Sequence, residues 1–396
     1  MRTVIAFKNY SMIEYGCDLV GNRLTRTRTV NGQTFTDVMT YNAANQLESL
    51  NNQAWQHDLD GNVVVRRVGN ATWVLDYDAE GNLVSLQKEQ DDGVGWVYEY
   101  DGFGRRVRAV RGSLEVVYLY SGDTLIAEGS RQSSSDPFQW VYYGYGGAMY
   151  QQVSNAGTEY KHWNLRGDLV ATSSPTGAYS PAPITDAFGD LVAGARPTYD
   201  WNGAWGYRNE ALTGGLQKVG VRWYDPTVGR FLQRDPWLGC PYEVLTLNTY
   251  ANCANDPVNL VDPDGYCRIR TVKAYVTAYC DCQKCCGPNA RGITASGTPT
   301  HPGVVATRPE DKGGLPFGTP VIIPGYGNAI VEDRGRGPRK MPSDCVIWID
   351  VWFPSHEEAR RWGTKELEVT IVEPCEGFDR GAFHPTHPPD RKRRGK

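Results

Sequence analysis

One local pattern recurs through the first 120 residues and restricts the fold more than anything else in the chain. Tyr15-Gly-Cys-Asp18-Leu-Val-Gly21-Asn22 returns as Tyr41-Asn-Ala-Ala-Asn45-Gln, His57-Asp58-Leu-Asp-Gly61-Asn62, Tyr77-Asp78-Ala-Glu-Gly81-Asn82 and Tyr100-Asp101-Gly-Phe-Gly104-Arg105. The turn positions 21, 45, 61, 81 and 104 lie 24, 16, 20 and 23 residues apart. Each unit reads as strand, tight turn and strand, because Gly and Asn accept the positive φ that a hairpin demands. Units this short cannot bury a face alone, so they must stack into a long sheet or shell. The 44 glycines, 23 tyrosines and 12 tryptophans agree, favouring short strands and turns over helical bundles. Only Ser355 to Gly363 reads as a helix, with Ser355 as N-cap, Glu357 and Glu358 in the first turn and Gly363 at its end. The protein is expected to be mostly β.

Length and charge divide the chain. At 396 residues, two or three domains are expected. The net charge of -4 conceals -9 over residues 1–266 and +5 over 267–396. Seven of the ten cysteines lie in the second part. No stretch approaches the roughly 20 apolar residues of a membrane span, and the first residues lack the apolar run of a secretory leader. A secreted or cell-envelope location, outer-membrane or periplasm-associated, would then need another export route.

The repeats resemble the YD repeats of Rhs proteins, insecticidal toxin-complex C components and teneurins. The resemblance sharpens at Val219-Gly-Val-Arg222-Trp-Tyr224-Asp225-Pro226-Thr-Val-Gly229-Arg230-Phe231-Leu-Gln-Arg234-Asp235-Pro236, and again at Asp262-Pro263-Asp264-Gly265. These are similar to the Rhs repeat-associated core. The resemblance implies repeats over 1–205, a core over 206–266 and a β-shell around a variable C-terminal toxin. Because the repeats begin in mid-unit, that shell is expected to be a fragment. It further implies aspartyl self-cleavage after Tyr266, carried by Arg234, Asp235 and Asp262, where one carboxyl acts as acid and another as base. An immunity protein and export machinery are the implied partners.

Past Tyr266 the texture becomes apolar β runs separated by glycines, which suggests a compact β-barrel over 267–376. In Cys345-Val-Ile-Trp348-Ile-Asp350-Val-Trp352-Phe353, period two puts Asp350 between Trp348 and Trp352 on one face, with Ile347, Ile349, Val351 and Phe353 on the other. A carboxyl between indoles loses hydration, which raises its pKa towards what a general acid needs. The order Thr277-Ala-Tyr279, Thr294-Ala-Ser296-Gly297, Glu332-Asp333-Arg-Gly335 and Ile349-Asp350-Val-Trp-Phe resembles the 3D (three-aspartate) domain. That domain is similar to the double-psi β-barrel of membrane-bound lytic transglycosylase A. By this resemblance Asp350 would be the catalytic acid/base and Asp333 its support. Trp348, Trp352, Thr294, Ser296 and Tyr279 would bind peptidoglycan, and cleavage would form a 1,6-anhydro sugar. Where the pattern has its first aspartate, this chain has Arg308. The alternatives are a non-catalytic glycan-binding module and a structural surface fragment.

Cys280, Cys282, Cys285 and Cys286 fall within seven residues. Disulfides, zinc and free thiols all remain open for them, zinc being the one metal or cofactor considered. Residues 377–396 form a proline-rich, basic tail, read as a solvated terminus, and no nucleic-acid partner is expected.

Overall fold

The computed structural model describes residues 2–7, 10–30, 32–91, 93–146, 148–235, 244–263, 265, 268–288 and 290–373. Tyr266, where the cut is expected, and the 377–396 tail lie outside them. The chain divides into two compact units, Met1–Tyr266 and Cys267–Lys396.

In the first unit the repeats become antiparallel meanders. Six strands run in sequence order from Arg2–Phe7 to Gln53–Ala54, and thirteen more from Gln56–His57 to Tyr179–Pro181. The Asp of the motif, or Asn42 in the second unit, makes the turn. Asp78 Oδ1 accepts the backbone N–H groups of Glu80 and Asn82, while its Oδ2 accepts the Asn82 side-chain amide. Asp18 and Asp58 repeat the pattern with Asn22 and Asn62. The positive φ falls on the glycine, +92° at Gly61 and +81° at Gly81, with Asn45 standing in at +60°. The asparagine after the glycine therefore serves as a hydrogen-bond donor and does not adopt positive φ. This corrects the reading that treated Gly and Asn alike.

The tyrosines link one unit to the next. Tyr41, Tyr77, Tyr100, Tyr120 and Tyr145 donate their hydroxyls to the carbonyls of Arg23, Val63, Leu83, Arg106 and Leu125 at 2.7–3.1 Å. A ring that buries its body and finds an acceptor for its tip suits this position better than Phe, which has no hydroxyl.

A four-stranded antiparallel sheet fills the interior: Arg208–Asn209, Gln217–Val219, Arg222–Asp225 and Arg230–Phe231. Trp223, fully buried, packs with Trp73, Leu75, Leu83, Trp96 and Tyr98 of the meander in one core. Two buried charges are matched here: Arg66 Nε meets Asp225 Oδ2 at 2.6 Å with both side chains fully enclosed. A pair so deeply buried is maintained only because each charge answers the other.

The second unit is a closed six-stranded barrel: β1 (Arg268–Tyr279), β2 (Val304–Thr307), β3 (Pro320–Ile323), β4 (Gly327–Arg334), β5 (Ile347–Trp352) and β6 (Lys365–Glu373). Around it the order is β1-β5-β2-β4-β3-β6 and back to β1. The pairs β1/β5 and β2/β4 are parallel and the others antiparallel. Ile347, Ile349 and Val351 enter the core with Val276, Val305, Val321, Val331 and Ile371, and Phe353 packs against it. The period-two reading of β5 therefore holds. The expected helix is α1 (His356–Trp362), whose Ser355 N-cap accepts the Glu358 N–H, with Gly363 closing it.

Candidate functional site

Asp350 and Asp333 face each other across one small residue. In the antiparallel β2/β5 pair Asp350 stands opposite Ala306, and in the parallel β2/β4 pair Asp333 also pairs with Ala306. Alanine on the middle strand leaves room for a carboxyl on either side. Across β1/β5, Asp350 pairs with Thr277 and Trp352 with Tyr279.

Each carboxyl has its own hydrogen-bond environment. The Trp348 indole N–H donates to Thr277 Oγ1 at 2.9 Å, which turns the threonine proton towards Asp350 Oδ1, 2.6 Å away. Burial pushes the Asp350 carboxyl up to about 6, the Thr277 hydrogen bond partly opposes this, and the Asp333 charge adds to the rise. Asp333 accepts three bonds: the Tyr279 hydroxyl at 2.8 Å on Oδ2, and the N–H groups of Ala295 and Arg334, each 2.8 Å from Oδ1. Burial and the Asp333 carboxylate raise the Tyr279 phenol well above its ordinary value, so it stays a donor. A carboxyl near 6 is partly protonated at neutral pH and can both give and take a proton.

The other expected residues gather around this pair. Thr294 Oγ1 meets Ser296 Oγ at 3.0 Å and Thr298 Oγ1 at 2.8 Å, in the turn whose Ala295 N–H holds Asp333. Trp348 and Trp352, which flank Asp350 along β5, are each 6% exposed. Tyr279, expected to touch substrate, donates its hydroxyl to Asp333. Arg308, in place of the pattern's first aspartate, donates to the Pro338 carbonyl at 2.7 Å. It thereby anchors a segment in which Arg336, Arg339 and Lys340 are exposed. Thr277 was not among the expected site residues, although it shares a strand face with Tyr279.

In the first unit, Asp235 and Asp262 converge on a residue the sequence reading did not single out. Arg222 Nη2 lies 2.9 Å from Asp235 Oδ2 and 3.1 Å from Asp262 Oδ2, and its guanidinium carbon is 3.6 Å from the Phe231 ring centre. Arg234, by contrast, is exposed and lines a cleft with Asp60, Asn62, Glu80 and Asp235.

The cysteine cluster is not disulfide-bonded: Cys280, Cys282, Cys285 and Cys286 are all free, as is Cys345. Three of them surround His356. Its Nδ1 lies 3.9 Å from Cys280 Sγ, 3.6 Å from Cys282 Sγ and 3.4 Å from Cys285 Sγ. Cys286 turns away and donates to the Cys280 carbonyl at 3.2 Å.

A meander of stacked hairpins wrapped on a buried internal sheet defines a YD-shell protein. The teneurin YD-shell family model matches residues 2–258, and the chain belongs to that family. The tRNA3(Ser)-specific nuclease WapA of Bacillus spizizenii is 31% identical over 277 residues, covering 68% of this chain and 11% of WapA. This chain thus spans about a tenth of that relative. The putative cell wall shaping protein YabE of Bacillus subtilis is 33% identical over 106 residues, 26% of this chain and 23% of YabE. Among solved structures, TcdB2-TccC3-TEV superimposes with a TM-score of 0.52 at 22% identity, covering 64% of this chain and 13% of that one, which shows the shared fold. These relatives overturn one expectation. The enzyme they name over most of the chain is a nuclease and not a lytic transglycosylase, so the glycosyl-bond-cleaving activity is withdrawn. Among the described residues no helix is long and apolar enough to cross a membrane.

Proposed function

We propose that this chain is a portion of an Rhs-type polymorphic toxin. Its YD-shell unit carries the barrel of Cys267–Lys396 as effector. The observation that carries this reading is the family match over residues 2–258 followed by a second compact unit of different charge and fold. The interleaved parallel pairs of that unit support a double-psi barrel. The convergence of Asp235 and Asp262 on Arg222 supports a self-cleavage centre that frees the effector.

The first activity to test is nucleic-acid cleavage, the activity in WapA's name. Phosphodiester cleavage needs a proton for the departing oxygen and cations for the phosphate. Asp350, held near 6, and the exposed Arg336, Arg339 and Lys340 are the groups that would supply them. YabE's similarity favours a second reading, a module that binds an anionic wall polymer without cutting it. Full-length chain and its Asp350→Asn variant, incubated with tRNA, duplex DNA and purified wall sacculi, separate the two. Loss of intact nucleic acid with the parent alone supports the nuclease. Sedimentation with sacculi by both proteins, with no nucleic acid cut, supports wall binding. A chain that neither cuts nor binds any of the three removes the effector role.

A further inference from the structure

We infer that Cys280, Cys282, Cys285 and His356 form a structural zinc site, with His356 as the fourth ligand and Cys286 excluded. The four ligand atoms lie within 4.8 Å of one another and come from two separate parts of the barrel unit. Zinc bonds of about 2.3 Å to sulfur and about 2.0–2.1 Å to nitrogen imply tetrahedral edges of about 3.8 Å between sulfurs and about 3.6 Å between sulfur and nitrogen. The edges here are 3.7 Å for Cys280 Sγ–Cys285 Sγ and 3.4, 3.6 and 3.9 Å for the three sulfur–Nδ1 separations. Both edge lengths of a metal-centred tetrahedron are therefore present in the protein's own side chains.

The backbone explains how sequence neighbours reach three corners. Cys280 follows the last residue of β1, and Cys282 caps a single helical turn, Gln283–Cys286, in which the Cys285 N–H returns to the Cys282 carbonyl at 3.0 Å. That turn brings Cys282 and Cys285 to the same side and sends Cys286 to the other. His356 is the first residue of α1, oriented by the Ser355 cap. A second cluster, Asp344, Cys345 and Glu366, is no rival. The Lys273 ammonium bridges its two carboxylates, lying 2.8 Å from Glu366.

On binding, three thiols release their protons to solvent and the imidazole coordinates through neutral Nδ1, with its remaining proton on Nε2. Four protein ligands leave no open position, so the metal's role is architectural. It ties the end of β1 to α1 directly beside Tyr279, the residue that holds Asp333.

The test uses the full chain, purified under reducing conditions, equilibrated with zinc and dialysed. Mass spectrometric metal analysis is expected to find one zinc per chain, retained in Cys286→Ser and lost in His356→Ala and Cys285→Ser. Cobalt substitution of the parent should give the intense visible bands of a tetrahedral thiolate centre, a readout that needs no variant to fold. The inference is overturned by a parent that holds no metal, by an intact mass lighter by two hydrogens with Cys280 and Cys285 joined, or by zinc that survives His356→Ala but not Cys286→Ser.

Discussion

Asp350 shows how a single residue acquires a function from its surroundings. An aspartate in water titrates near 4; here burial between two indoles lifts it to about 6. Its folded pKa exceeds its unfolded one, so the proton stabilises the fold. That contribution is complete below about pH 4 and is lost as pH rises through about 6. The rise from about 4 to about 6 corresponds to up to about 3 kcal/mol. Urea titrations of the barrel unit within the full chain, followed at pH 4 and pH 7.5, should show this loss in the parent. Asp350→Asn keeps the shape but cannot titrate, and its stability should depend less on pH by that margin. Equal pH dependence of the two proteins would mean that the carboxyl is solvated. The sequence made Asp350 visible because a charge between tryptophans on an apolar strand is conspicuous. Arg222 and His356 were not visible in the same way, since one arginine among many and one histidine at a helix start carry no local signal.

The repeated turn is the element on which the shell depends, and its parts have separable roles. Gly61 and Gly81 occupy equivalent positions with similar φ, but their surroundings differ. A Cβ on Gly81 would meet nothing within 4 Å, whereas one on Gly61 would come within 2.5 Å of the Tyr250 hydroxyl and of Arg234 Cδ. Gly81→Ala should therefore pay only the left-handed backbone penalty, about 1–2 kcal/mol. Gly61→Ala should lose more, because the Tyr250 hydroxyl that donates to the Gly61 carbonyl at 2.7 Å must also move. Thermal melts of the two variants should rank them in that order. Equal losses would show that Tyr250 does not hold the turn. Turn spacing and strand alternation could be read directly from residues, since both depend on near neighbours. The asparagine's role as donor could not, because it depends on where the Asp carboxylate points.

At the scale of the whole molecule, two units with separate cores should unfold separately. Calorimetry of the zinc-loaded chain is expected to show two transitions. Asp225→Asn leaves the buried Arg66 guanidinium without its counter-charge and should weaken the shell transition by about 3–5 kcal/mol, leaving the barrel transition unmoved. A single transition shifted by that variant would show that the units fold as one. From the amino-acid order alone came the β class, the stacked hairpins, the change of texture at residue 266, the α1 caps and the inward face of β5. These follow from near-neighbour spacing, turn chemistry, the recurrence of the turn every 16 to 24 residues and the distribution of charge and cysteine along the chain. Tertiary structure decided the rest: Ala306 between two carboxyls, Tyr279 as a support for Asp333, Arg222 beneath Asp235 and Asp262, and His356 closing the thiol cluster. Those partners lie 13 to 76 residues apart. They meet only because the barrel and the internal sheet bring distant strands into register, and no local pattern in the chain records that register.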